Sequence, residues 1–250
     1  MINLRRLEEV SQNASRPERG VMVDGWSVGL SPSKAKRSRC VNAFYAGSRS
    51  FEENLVVVRA LYARAEFTCI FRMTPFVFDS QLDVKLDAAG FVRIDTTWVM
   101  AMSLDMLQPP INDDALVYKN EPDFIHATNA LQTLRGDKDD ERDALAARWQ
   151  QLPLQIDSTF LLDSEQTPAA HALTIIDDGY VGLFDVVVDE ALRNAGFGSA
   201  LVHRVLVSAK AQGAHTAYLQ VSEDNPARRL YERMGFEKAY EYWYRKLDDM

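Results

Sequence analysis

A chain of 250 residues can bury one large core or two ordinary ones, and 47% hydrophobic with 26% charged residues marks it as globular, not disordered or fibrous. A formal net charge of -8 leaves no cationic face for general nucleic-acid binding and fits a cationic substrate. Arg59 and Asp185 interrupt the longest apolar runs, the start "MINLRRLEEV" lacks the apolar stretch of a secretory signal, and Cys40 and Cys69 show neither metal nor disulfide spacing. No membrane partner and no bound metal are expected, and the chain reads as cytoplasmic.

In chain order, Ile2 to Ala14 carries Leu4, Leu7 and Val10 at helical spacing. "VMVDGWSVGL" and "RCVNAFYA" alternate as half-buried strands on either side of the basic turn "SPSKAKRSR". A helix over "SFEENLVVVRALYARA" has Ser50 as N-cap and Glu53 as its capping-box partner. Next come the strand "TCIFRMTP", a short helix "SQLDVKLDAAGF" and the strand "VRIDTTWVMAMSLD". "MLQPPINDD", with paired prolines and aspartates, predicts a linker.

Beyond the linker, "EPDFIHATNALQTLRG" predicts a helix ending at Gly136, and "DKDDERDALAARWQQL" a second with acid at its N-terminal end. "QIDSTFLLD", "AAHALTIID" and "GYVGLFDVVVD" predict strands, the last two joined by Asp177-Asp178-Gly179, a hairpin signal. Leu201, Val202, Val205, Leu206 and Ala209 form one helical stripe stopped by Gly213. The strand "HTAYLQVSED", the helix "NPARRLYERMGF" and the strand "KAYEYWYRK" close the chain. The two halves share the order long helix, strand, short helix, Gly-Phe, strand, which points to duplication of one unit. His171, His203 and His215 are scattered and read as structural. Tyr240, Tyr242 and Tyr244 share one face of the last strand, either as sheet packing or as an aromatic cage for an amine.

The stretch "RNAGFGSALVHR" sets two glycines between a strand and a helix. A helix N-terminus carries unpaired N–H groups and partial positive charge, and glycine lets several amides converge on one anion. A Walker loop is excluded by the absence of Gly-Lys-Ser/Thr. A dinucleotide fingerprint is excluded because Leu201 stands where its third glycine belongs. Arg193-x-x-Gly196-x-Gly198 after a strand instead resembles the acyl-CoA pyrophosphate loop of the GNAT superfamily of N-acetyltransferases. "NPARRLYERMGF" resembles that family's Asn-x-x-Ala-x-x-x-Tyr-x-x-x-Gly-Phe segment, except that Ala227 follows Asn225 by two residues instead of three. The resemblance runs from about Asn120 to Lys246. More loosely, "DGW", "RSRCVNAFYAG" and "FRMTP" resemble the amino-terminal part of two-module bacterial members, although that half has no glycine loop.

The resemblance implies an α/β fold, an α+β mixed sheet in tandem GNAT arrangement. Residues 1–110 would be a degenerate GNAT-like module and residues 111–250 the acetyl-CoA-binding catalytic domain. It implies an N-acetyltransferase moving acetyl from acetyl-CoA to a primary amine of a small molecule or peptide. A non-catalytic acyl-CoA sensor and transfer of a bulkier acyl group are the alternatives. Val186 and Val188 would hydrogen-bond the pantetheine arm. Arg193 and the amides of Asn194, Ala195, Gly196, Phe197, Gly198 and Ser199 would hold the pyrophosphate. Asn225 would cap its helix and touch the cofactor, and Tyr231 would be the general acid, matched to a thiol of pKa ~8.5. Where some members carry a basic glutamate, Gly182 stands here. Asp185, three residues on, is the catalytic candidate, with a water chain to Glu223 or Asp224 as the alternative. A homodimer is left open.

Overall fold

The computed structural model describes residues 2–32, 35–107, 117–136 and 142–247; the "MLQPPINDD" linker falls largely outside them, as does the acidic start of "DKDDERDALAARWQQL". Two compact units take up the chain, and neither is contiguous: Ser15–Val99, Ser222–Asp224 and the chain from Ala239 make one, and the chain to Ala14, Met100–Val221 and Asn225–Lys238 the other.

In the first unit, a hairpin splits the stretch "VMVDGWSVGL" into β1 (Gly20–Val23) and β2 (Trp26–Gly29). Its two-residue turn, Asp24-Gly25, has positive φ at both positions (+43° and +91°), the primed-turn geometry that matches strand twist. The Asp24 carboxylate accepts hydrogen bonds from the amides of Ser48 and Arg49 and from the side chains of Ser48 and Asn54. Those donors, the two amides foremost, pull its pKa down to about 2. β3 (Val41–Ala43) is fully buried, antiparallel to β2 and parallel to β4 (Ile70–Met73). α2 (Phe51–Arg64) starts with both bonds of the Ser50–Glu53 capping box.

The closing strand β11 (Glu237–Leu247) runs antiparallel to β4, with Arg245 opposite Phe71. Arg245 grips α3 (Leu82–Ala88) through both oxygens of Asp83 and through Asp87 at 2.6 Å, and donates to the Phe91 carbonyl. Trp26, Phe71 and Phe91 pack edge to face at 5.2 and 5.4 Å in the core. Tyr240, Tyr242 and Tyr244 are all buried, so packing, not an open cage, describes them. β5 (Phe91–Ser103) supplies its first nine residues to this unit and its end to the other.

The second unit has the strand order β10-β9-β8-β7-β6: Thr216–Ser222, Tyr180–Val188, Pro168–Asp177, Gln155–Leu162 and Val117–Asn120. The pairs from β6 to β9 are antiparallel, and β9 and β10 are parallel, joined by α6 (Phe197–Ala211). The sheet is mixed, as expected for the fold class. The hairpin between β8 and β9 turns at Asp178-Gly179, again with positive φ (+48° and +75°). α4 (Phe124–Arg135) is capped by Asp123 and ends at left-handed Gly136; α5 (Arg142–Gln151) follows. Trp149, Leu131, Phe160, Leu173 and Ile175 form the core under α4 and α5. α1 (Leu4–Ala14) belongs to this unit, where Val10 accepts a hydrogen bond from Tyr218. α7 (Arg228–Arg233) lies between β10 and β11 in sequence.

Candidate active site

β9 does not run straight. Its register on β8 shifts between His171 and Leu173, leaving Asp185 and Val186 opposite Ala172. At this bulge Asp185 has φ +48°, the left-handed region, which costs a non-glycine residue about 1 kcal/mol or more. The parallel register with β10 stops at Leu183 opposite Leu219, although β10 continues through Gln220 and Val221. From Phe184 through the bulge to Val188 the strand is only half-buried. The Asp189 amide donates to the Ala169 carbonyl of β8 at 2.9 Å. Strand alternation then turns the backbone groups of Val188 and Val186 away from β8, toward the side on which pairing with β10 has stopped.

After β9, Arg193 is extended, Asn194 left-handed (φ +64°) and Gly196 left-handed (φ +92°) as the N-cap of α6. Among the described residues, no N–H from Asn194 to Ser199 finds an acceptor in the protein, while the Ser199 hydroxyl donates to the Gly196 carbonyl. Six free amides around a helix N-terminus form an anion-binding concavity. Arg193 stands beside it, half exposed, its Nε 3.4 Å from the Val188 carbonyl. A Cβ on Gly198 would meet Val188 Cγ2 at 3.4 Å and Leu230 Cδ2 at 3.5 Å. The helix start therefore lies in van der Waals contact with the bent strand on one side and with α7 on the other.

Asn225 caps α7: its Oδ1 accepts from the Ala227 amide at 2.9 Å. Tyr231, next to Leu230, is buried, packs edge to face on Phe236 at 5.9 Å, and has no hydrogen-bond partner for its hydroxyl among the described residues. Burial pushes its phenol up to about 12, so it keeps its proton throughout the neutral range. The Asp185 carboxylate is held by Arg135 at 2.6 Å. Glu223 and Asp224 belong to the other compact unit, where the Glu223 amide donates to Thr96.

Residues 125–236, which span the bulge, the loop and α7, match the family described as the acetyltransferase (GNAT) family. The chain carries a GNAT-family acetyltransferase domain. It is 27% identical over 168 residues to an uncharacterized N-acetyltransferase, YobR, of Bacillus subtilis, covering 66% of this chain and 67% of that protein. It is 34% identical over 66 residues to the ribosomal protein bS18 alanine N-acetyltransferase of Haemophilus influenzae, covering 26% of this chain and 44% of that protein. A GCN5-related N-acetyltransferase from Kribbella flavida superposes with TM-score 0.76 at 17% identity, covering 100% of this chain and 96% of that one. A tandem GNAT protein from the clavulanic acid biosynthesis pathway superposes with TM-score 0.60 at 16% identity, over 84% and 75% of the two chains.

The GNAT domain also holds a group that sequence reasoning left without a role. His171 on β8 is fully buried. Its Nδ1 lies 3.0 Å from the Asp185 carbonyl and its Nε2 3.0 Å from the Ser158 hydroxyl. A carbonyl can only accept, so Nδ1 carries the proton and Nε2 accepts from Ser158. The ring stacks on Trp149 at 6.3 Å and leans on Phe160 at 4.6 Å. Desolvation drives its pKa down to about 4, with the Asp185 carbonyl and carboxylate opposing and Arg135 assisting.

Because the folded ring resists protonation, the unfolded chain binds the extra proton between about pH 6.5 and pH 4. His171 thus contributes stability that is complete above pH 6.5 and is lost as pH falls toward 4, on the order of 3 kcal/mol. Urea unfolding across that range is expected to show a shallower acid loss in His171→Asn than in the wild type. Equal slopes would contradict the buried neutral ring.

Proposed function

We propose that the chain is an acetyl-CoA-dependent N-acetyltransferase acting on a primary amine of a small molecule or peptide. The observation that carries this reading is the run of unbonded amides from Asn194 to Ser199 beside a bulged strand whose pairing with β10 stops at Leu183. The amides supply donors where a pyrophosphate needs them, with Arg193 adding a full positive charge. Val186 and Val188 offer the outer backbone groups of β9 to the amides of the pantetheine arm, which fills the space toward β10 as an added strand. Acetyl-CoA supplies an activated acetyl group as a thioester.

The chain's own part is to orient that thioester and manage protons. The acceptor amine attacks as a neutral nucleophile; a C–N bond forms, the C–S bond breaks, and the amine releases a proton to solvent water, from which the Tyr231 phenolate regains its own after the transfer. Tyr231 is the donor for the departing thiolate. Its pKa, up to about 12, keeps the proton on the phenol until negative charge develops on sulfur, so the hydrogen bond strengthens in the transition state. Asn225 shapes the start of α7 and offers its remaining polar groups to the cofactor. Taking up the amine's proton on Asp185 would require release of Arg135, so we assign Asp185 to the shape of the strand. We read residues 1–110 as a degenerate GNAT-like module and 111–250 as the catalytic one. α1 and the end of β11 each then fold into the compact unit dominated by the opposite module.

Millimolar acetyl-CoA is expected to raise the melting temperature of the wild type by mass action and to leave Gly198→Asp unmoved. The new Cβ meets only ordinary contacts, so the variant folds, but its carboxylate occupies the anion site. An unchanged CoA affinity in Gly198→Asp would show that the loop does not hold the pyrophosphate.

Tyr231→Phe removes one hydroxyl and keeps the packing on Phe236. Free-thiol release with an amine panel is expected to slow about 10²-fold or more while CoA affinity stays level. An unaltered rate would remove Tyr231 as the acid. Wild-type protein that binds acetyl-CoA but releases no thiol with any amine would overturn the enzyme reading in favour of a sensor.

A further inference from the structure

Two residues outside the proposed reaction converge on the bulge of β9. His171, fully buried on β8, donates from Nδ1 to the Asp185 carbonyl at 3.0 Å. Arg135, exposed at the end of α4, holds the Asp185 carboxylate at 2.6 Å. One residue in a disfavoured backbone conformation is thus gripped at its main chain and at its side chain. The donor itself is aimed. Ser158 on β7 engages the opposite ring nitrogen at 3.0 Å, and Trp149 on α5 stacks on the ring within 11° of parallel. A ring that only filled volume would need none of this orientation. The Asp185 carbonyl, which can only accept, fixes the proton on Nδ1, and Ser158 donates to the opposite nitrogen and holds the ring in place.

We propose that His171 and Arg135 are positioning residues for CoA binding: they latch Asp185 in its left-handed conformation and so hold Val186 and Val188 turned toward the space beside β10. The proposal rests on the reading that this space takes the pantetheine arm. The consequence of losing the latch follows from strand geometry. Asp185 relaxes toward extended backbone, the extra residue of the bulge is absorbed, and the register beyond it slips by one. The backbone groups of Val186 and Val188 then turn toward β8, and the outward row of donors and acceptors changes identity. The strand can also rejoin β10 past Leu183 and close the space. Neither Arg135 nor His171 needs to touch the ligand for this to happen.

The test uses the full chain, with CoA affinity from calorimetry and melting temperature of the apo protein measured side by side. His171→Leu fills volume without a donor, whereas in His171→Asn the side-chain N–H takes the place of Nδ1–H. Ser158→Ala loosens the ring but leaves its donor in place. All three are expected to melt lower than the wild type. CoA binding is expected to weaken about tenfold or more in His171→Leu, to stay within about threefold in His171→Asn, and to stay level in Ser158→Ala. Arg135 is exposed, so Arg135→Met keeps the measurement open should His171→Leu not fold; its binding is expected to weaken about fivefold. Wild-type affinity in folded His171→Leu or in Arg135→Met would overturn the latch. So would His171→Asn binding as poorly as His171→Leu, or affinity in the set simply tracking melting temperature. A wild type that binds no CoA would remove the functional reading and the latch together, while CoA binding insensitive to the latch variants removes the latch alone.

Discussion

The rest of the site depends on one backbone constraint, the left-handed conformation of Asp185 in the middle of β9. A parallel pair such as β9 and β10 is normally covered on both faces and paired along its length. Here pairing stops at Leu183, and the strand beyond it is half-buried with its outer backbone groups facing away from β8. An unpaired backbone edge inside a sheet is unfavourable unless something completes it. The bulge therefore leaves a demand for hydrogen bonds along the outer edge of β9, which an extended amide-bearing arm can satisfy.

The second element, the loop into α6, has the complementary character. Left-handed Asn194 and Gly196 curl the chain so that successive amides share one side, and the helix N-terminus adds its partial positive charge. Val188 and Leu230 flank Gly198, each at ordinary van der Waals distance from a Cβ built there. Strand edge, anion cradle and the helix bearing Tyr231 thus form a continuous packed row within one compact unit. In a chain of net charge -8, the cradle and Arg193 supply the donors and the cation that the proposed cofactor site calls for.

Much of this was legible in the sequence because it is local. The Ser50–Glu53 box, the Asp178-Gly179 turn, the end of α4 at Gly136 and the glycines of the loop depend on residues within a few positions of one another. The Asp24-Gly25 hairpin carried the same turn signal as Asp178-Gly179, and "VMVDGWSVGL" is two strands, not one. β6 was missed because four residues with an exposed pattern carry almost no periodic signal. What holds Asp185 was hidden for a different reason. An aspartate in the apolar run "VGLFDVVVD" reads as a polar group awaiting a reaction, whereas its neighbours Arg135 and His171 lie 50 and 14 residues away. Aspartate's tolerance of left-handed backbone was the available clue. The burial of Tyr242 and Tyr244 likewise follows from strand pairing that alternation alone does not fix.

The most direct measurement is amide hydrogen exchange of the full chain with and without CoA, resolved residue by residue. If the bulged strand and the loop together form the cofactor site, CoA slows exchange most at Val186, Val188 and the amides from Asn194 to Ser199, which have no acceptor among the described residues or face away from β8. Exchange unchanged at those amides under saturating CoA, or protection centred elsewhere in the chain, would contradict the account.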